Sequence, residues 1–378
     1  MMSGKKSLVR RYIEGIGILV GMIFGAGVFA LPYVTAQAGI AWGVFHLFLA
    51  LFFMLLLHLL YGEITHATAG NHRFVGYVRQ LSGKTSGVAA MLLVFFGYYG
   101  TLLIYGVLGG VFLSGAFGRL SASVWALVFF AGSGLLLLAN LKQIGTVNFW
   151  LSIPLFLFVL VLAERAAPYI TRANLSVGSS AAWFFPYGVF LFSLGGFATI
   201  PEARDIFRGV GFRHFRNVIV ISLTFSAIFY ALFAFSVVGV SGLSVSEDAL
   251  SGLVPVLGSG ILRYGAFIGF LAVFTSFLAM GIDLKNIFVH DFRRSLPVAW
   301  FLAAAPPVLV FLVGATNFIG IINIVGSIGM GLTGVLIIRM AVRFRIKKYR
   351  DAGALAFWQW PLMAALLVAS ALGITNAL

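Results

Sequence analysis

The sequence contains no cysteine, which excludes a disulfide framework and thiolate metal ligands. Charge is scarce as well: Asp, Glu, Lys and Arg make up 9% of the 378 residues, against 61% hydrophobic. A soluble domain could not cover so much apolar surface, so the chain reads as a polytopic membrane protein whose solvent is the lipid bilayer. No long polar linker interrupts it, and one integral domain over 1–378 is expected. Alternating ten-residue apolar and polar segments are absent, which excludes an outer-membrane barrel. No Walker motif occurs, so ATP hydrolysis is not indicated. Acidic residues are few, 10 against 25 Lys and Arg, a balance that would suggest nucleic acid in a soluble protein.

What is present is a series of apolar stretches of about 20 residues, the length that crosses the hydrocarbon as a helix. Eleven are expected: 13–39, 42–67, 87–114, 122–139, 146–163, 181–202, 216–240, 261–285, 297–314, 317–342 and 354–376. With the N-terminus in the cytoplasm, only Arg119, Arg165, Arg172 and Arg263 of the 25 Lys and Arg fall outside. That asymmetry follows the positive-inside rule, so the basic excess reflects topology and calls for no nucleic-acid partner. Eleven spans put the C-terminus outside, in the plasma membrane. Ala36-Gln37-Ala38 imitates a signal-peptidase site, but the apolar run before it is too long and ten spans follow.

Two spans carry helix breakers at their centres. Span one reads GMIFGAGVFALP from Gly21 to Pro32, and span six contains Ser193-Leu194-Gly195-Gly196 five spans later in the same relative position. An odd offset inverts the second copy, and paired interruptions in two halves point to a binding site between inverted repeats, here about 13–163 and 181–342 with 354–376 as an extra helix. Unpaired backbone groups cost several kcal/mol in hydrocarbon, so a break needs something to bond. The N–H groups of Gly25, Ala26 and Gly27 would begin a half-helix whose positive end suits an anion. The carbonyls from Gly21 to Phe24 would face a cation, and a zwitterion suits both. The alternative is that Gly21 and Gly25 only allow close helix packing.

These residues resemble a known family. GMIFGAGVFALP is similar to the first-helix signature of the amino acid/polyamine/organocation superfamily, above all its amino acid/auxin permease and hydroxy/aromatic amino acid permease branches. Tyr61 to Gly83 resembles the end of the second helix with the segment after it, and Phe185 to Ile206 resembles the broken sixth helix. The resemblance implies five plus five inverted helices carrying amino acids by alternating access, usually with Na+ or H+. Carried over by position, the substrate carboxylate would meet the amides of Gly25, Ala26 and Gly27. Its ammonium would meet carbonyls near Ile23, Phe192 and Ser193, with Phe192 and Phe197 covering the side chain. From the third helix Tyr105 is the first choice of contact and Tyr99 the second; the alternative for each is a packed aromatic with a satisfied hydroxyl.

For the coupling ion, Ala272, Thr275 and Ser276 lie at i, i+3 and i+4, so one carbonyl and two hydroxyls share a helix face and offer hard ligands. This spacing resembles the sodium site of the neurotransmitter:sodium symporters, which would add carbonyls of Gly21 and Phe24. The alternative is hydroxyls bonded to their own helix. Some proton-coupled relatives carry a lysine in helix five, where this chain has Pro154 and no Lys or Arg between Thr146 and Ala163. Glu63, Glu202 and Asp283 are expected as caps or ion pairs near helix ends, with Lys285 a partner for Asp283, and as proton carriers otherwise. His46 and His58, twelve apart without an acidic partner, suggest no metal. The expectation is a secondary transporter of a neutral, aromatic or large aliphatic amino acid, with no cofactor beyond the ion. The alternatives are an amino acid sensor with the same pocket and, with less support, a membrane enzyme.

Overall fold

The structure, a computed structural model, describes residues 7–68, 70, 72–139, 144–290 and 292–376. Lys5, Lys6 and Lys142, counted above among the basic groups, lie outside them. The described chain is all helical, and each of the eleven expected spans is met by a helix or a broken pair. The first comprises α1 (Leu8–Ile23) and α2 (Gly27–Ala38), bent by 54° at the glycines. Next come α3 (Ile40–Ala67), α4 (Phe74–Ser82), α5 (Lys84–Phe117), α6 (Ala122–Leu136), α7 (Ile144–Ala166) and the short α8 (Arg172–Leu175). The sixth span is α9 (Tyr187–Ser193) and α10 (Ile200–Ile206), and α11 (Phe212–Ser241) follows. After the small α12 (Val254–Leu257) come α13 (Ser259–His290), α14 (Leu296–Leu312), α15 (Phe318–Ile324), α16 (Gly331–Tyr349) and α17 (Ala354–Thr375).

Local chemistry sets the ends of these helices. Ser7 caps α1 by accepting from the Arg10 N–H at 3.3 Å, and Asn317 caps α15 by accepting from the Gly320 N–H at 2.9 Å. Gly39 alone joins α2 to α3, with φ of 97°, a conformation open to glycine without strain. The connection between the second and third expected spans contains α4, which buries Tyr77 and Val78. Between α15 and α16 the chain makes a π-helical turn over Val325–Met330, a second departure from a plain span. Such turns are frequent at functional sites.

The broken spans lie at the centre. Ala26, Val28, Phe29, Ala30 and Leu31 are no more than 1% exposed, so α2 is apolar all round because protein surrounds it. At the other extreme, α17 leaves Phe357 73% and Trp360 68% exposed, as a peripheral helix facing lipid would. The 34 residues of α5 reach about 50 Å at 1.5 Å each, well beyond the hydrocarbon thickness. Its surplus carries Lys84 and α4 to the basic end of the bundle.

Candidate functional site

In the first break, Phe24 has φ of −78° and ψ of 74°, and the Gly25 N–H donates to the Ile23 carbonyl at 2.9 Å. This is an inverse γ-turn, which reverses the chain within three residues. It corrects the expectation for Gly25: its amide is used by the turn and is not free. Among the described residues the N–H groups of Ala26, Gly27 and Val28 have no backbone acceptor, so they form the open positive end of α2.

In the second break, the Leu194 N–H donates to Phe190 at 3.2 Å and the Gly195 N–H to Phe192 at 3.0 Å. The Phe192 carbonyl, expected to face an ammonium, is thus occupied by its own turn. The next donor, Gly196 N–H, has no carbonyl within reach and donates to His58 Nε2 at 3.1 Å. His58 is fully buried, and its Nδ1 lies 2.7 Å from the Met54 carbonyl, so Nδ1 carries the proton and Nε2 accepts. The imidazole also stacks on Phe197, with centroids 4.2 Å apart.

The two breaks touch. A methyl group at Gly27 would lie 2.8 Å from Ser193 Cα, and one at Gly196 would lie 3.1 Å from the Ile23 side chain. The first, against backbone, is an approach that only glycine permits; at the second the Ile23 side chain would have to give way by a few tenths of an ångström. The Tyr230 hydroxyl, on α11, stands between the breaks, 2.7 Å from the Ile23 carbonyl and 2.9 Å from the Ser193 carbonyl. The carbonyls expected to receive an ammonium are therefore held by a phenol, because buried acceptors in an apolar bundle recruit the nearest donor.

Sequence reasoning identifies neither Tyr230 nor His58 as a binding group. The available signal is a lone polar side chain in each apolar run, Ile228-Phe229-Tyr230-Ala231 and Leu56-Leu57-His58-Leu59. Spacing tests the histidine only as a metal ligand.

From the breaks a cavity of about 610 Å³ runs toward the basic end. Ile23, Gly25, Gly27, Tyr105, Phe192, Ser193 and Phe197 line it, together with Val325, Gly329 and Met330 of the π-turn. Ala26 does not reach its wall, because its methyl points into the core. The Tyr105 hydroxyl lies 2.8 Å from where a side chain would begin at Gly25. Tyr99 points elsewhere, donating to the Leu302 carbonyl at 2.9 Å.

At its far end the cavity meets charge. Arg73 contacts Glu202 at 3.2 Å and Asp283 at 3.6 Å, and Asp283 also accepts from the Tyr98 hydroxyl. Burial alone would make Arg73 less basic, but the two carboxylates outweigh it and raise its pKa. Glu63 pairs with Arg345 at 2.5 Å. All three acids thus sit in ion pairs. Lys285 is not the partner of Asp283: residues two apart on a helix face away from each other, and its ammonium reaches the Leu137 carbonyl at the end of α6.

Gly21, Phe24, Ala272, Thr275 and Ser276 are all buried and lie off the cavity wall. The Thr275 hydroxyl donates toward the Leu271 and Ala272 carbonyls, at 3.0 and 3.2 Å, which is the back-bonded arrangement. Ser276 Oγ is buried beside Tyr105 without a hydrogen bond of good geometry. Phe24 packs its ring against Phe156 and Tyr230, at 4.4 and 5.0 Å.

This architecture is shared with solved structures. MhsT in complex with L-phenylalanine matches with a TM-score of 0.69 over 97% of this chain and 98% of its own, at 16% identity. Mhp1, a nucleobase-cation-symport-1 family transporter in a closed conformation with bromovinylhydantoin bound, matches with 0.63 over 97% and 91%, at 14% identity. Identities this low carry the fold alone. No curated protein is significantly similar in sequence. The sequence pattern of the tryptophan/tyrosine permease family, however, matches residues 9–377. The chain is thus a multi-pass membrane transporter for amino acid-type substrates, not an enzyme, and it belongs to the tryptophan/tyrosine permease family.

Proposed function

We propose that this protein is a secondary active transporter of a neutral aromatic or large aliphatic amino acid, working by alternating access in the plasma membrane. The observation that carries the reading is the meeting of the two breaks across one cavity, with free amides on one side and carbonyls on the other. The substrate carboxylate takes the Gly27 amide, which stands on the cavity wall at the positive end of α2. Its ammonium competes with the Tyr230 hydroxyl for the Ile23 and Ser193 carbonyls. Phe192, Phe197 and Tyr105 receive an apolar side chain, and the nearest charges on the wall, Arg73, Arg79 and Asp283, stand at the far end, which favours a neutral substrate. The two repeats, about 13–163 and 181–342, rock against each other around this site. The N-terminus and the basic cavity mouth are cytoplasmic and the C-terminus is outside, by the charge asymmetry.

A cation gradient drives the cycle, either Na+ at Ala272, Thr275, Ser276 and the Gly21 and Phe24 carbonyls, or H+. Replacing external Na+ with choline during proteoliposome uptake separates the two. The main test is a thermal-shift screen of the purified protein against twenty amino acids, followed by uptake of each stabilising ligand. Stabilisation and accumulation of tryptophan, tyrosine or phenylalanine are expected. Binding without accumulation in the presence of either gradient would turn the reading to a sensor, and no stabilisation by any amino acid would end it.

A further inference from the structure

A second cavity, of about 800 Å³, opens at the basic end where α3, α11 and α16 come together, and none of its lining is shared with the first. Helices α11 and α16 supply Arg216, Arg345 and Lys348 to its lining, and α3 supplies an apolar wall of Leu56, Leu59 and Leu60. Among the described residues Glu63 is the only acid on the lining, and Arg345 neutralises it at 2.5 Å. The lining therefore keeps a positive excess. Lys348 reaches the Ala67 carbonyl only at 3.5 Å, and neither it nor Arg216 enters an ion pair among the described residues. Both are exposed.

The apolar wall continues out of the cavity. Phe48 and Phe52 are 65% and 56% exposed and, with Leu56, repeat every four residues, one ridge of α3 that faces lipid. On α11, Val220 stands exposed one turn beyond Arg216. A basic recess at the end of the spans thus opens directly onto a hydrocarbon-facing ridge. A soluble anion would use the recess and ignore the ridge; an acidic lipid uses both.

We infer that this recess binds the headgroup of an anionic glycerophospholipid, with the phosphate at Arg216 and Lys348 and an acyl chain along Leu56, Phe52 and Phe48. A lipid held there touches α3 and α11, the helices that carry His58 and Tyr230, so it bears on the two breaks as well. The lipid site itself stands independently of the proposed substrate.

The test is native mass spectrometry of the full-length protein exchanged between dioleoyl phosphatidylglycerol and dioleoyl phosphatidylcholine, with inorganic phosphate as the soluble arm. Each cation near an acidic lipid contributes roughly fivefold, so R216Q/K348Q should lower the preference for phosphatidylglycerol by about 25-fold. Arg263→Gln, at the opposite end, should leave it unchanged. Should the double variant fail to fold, Lys348→Gln alone should lose about fivefold while Lys348→Arg keeps the preference. An unchanged preference in the Gln variants, or equal retention of the two lipids by the unaltered protein, overturns the inference. Inorganic phosphate displacing the bound phosphatidylglycerol at millimolar concentration would assign the recess to a soluble anion and overturn the lipid.

Discussion

The two breaks solve one physical problem by different means. Both leave backbone groups unpaired in the middle of an apolar bundle, where each costs several kcal/mol. The first is closed in part from within: an inverse γ-turn at Phe24 uses the Gly25 amide and the Ile23 carbonyl, Tyr230 adds a bond to that carbonyl, and the amides from Ala26 to Val28 stay open. The second cannot close itself. Its Gly196 amide depends on His58 from α3, and its Ser193 carbonyl depends on Tyr230 from α11. The first break thus leans on one side chain of another helix, and the second on two. A break held by side chains of other helices reports, and responds to, where those helices are.

That contrast is open to direct attack. The largest effect is expected where the breaks touch. Gly27→Val would drive a branched side chain against Ser193 Cα, 2.8 Å from the first added carbon, and no rotamer relieves a backbone collision. Uptake should fall by at least about a hundredfold, with the protein still monodisperse by size exclusion. Near-normal uptake would mean that the breaks need not meet.

Next is Tyr230→Phe, which removes the hydroxyl shared by both breaks while keeping the ring. A buried carbonyl that loses its donor costs about 1–3 kcal/mol, so the melting temperature should fall, while substrate affinity should rise roughly tenfold because the ammonium no longer has to displace the phenol. If substrate affinity instead falls together with stability, the phenol orders the site and does not compete with the ammonium.

His58 separates the breaks from each other, since it bonds only the second. His58→Leu should cost about tenfold in uptake, and His58→Gln, which keeps an acceptor, should recover some of it. Equal loss in both would place the importance of the residue in its stacking on Phe197.

The smallest structural effect is expected from T275A/S276A. Thr275 already bonds its own helix, so stability should change by less than about 1 kcal/mol. The informative readout is the dependence of uptake on Na+: flattening assigns the cation site, and an unaltered dependence removes it.

How much of this is legible in the sequence varies with the range of the interaction. The spans follow from runs of apolar residues, and the interruptions follow from glycines at 25, 27, 195 and 196. These are local features whose cost in lipid does not depend on the rest of the fold. The acids at 63, 202 and 283 are readable as paired groups, because an unpaired carboxylate near membrane depth is expensive. Their partners are not. Lys285 is two residues from Asp283, yet the pair is made by Arg73, from the connection before α4. The helix α4 itself escapes detection, since a nine-residue amphipathic segment between spans resembles a polar loop.

The sequence by itself determined that the chain crosses the bilayer many times, which end is basic and where two spans must break, because hydrocarbon penalises charge and bare backbone wherever they occur. Only the tertiary structure decided what satisfies those breaks. The partners are a tyrosine 207 residues from Ile23 and a histidine 138 residues from Gly196, and packing alone brings groups so far apart in the chain within reach of a hydrogen bond.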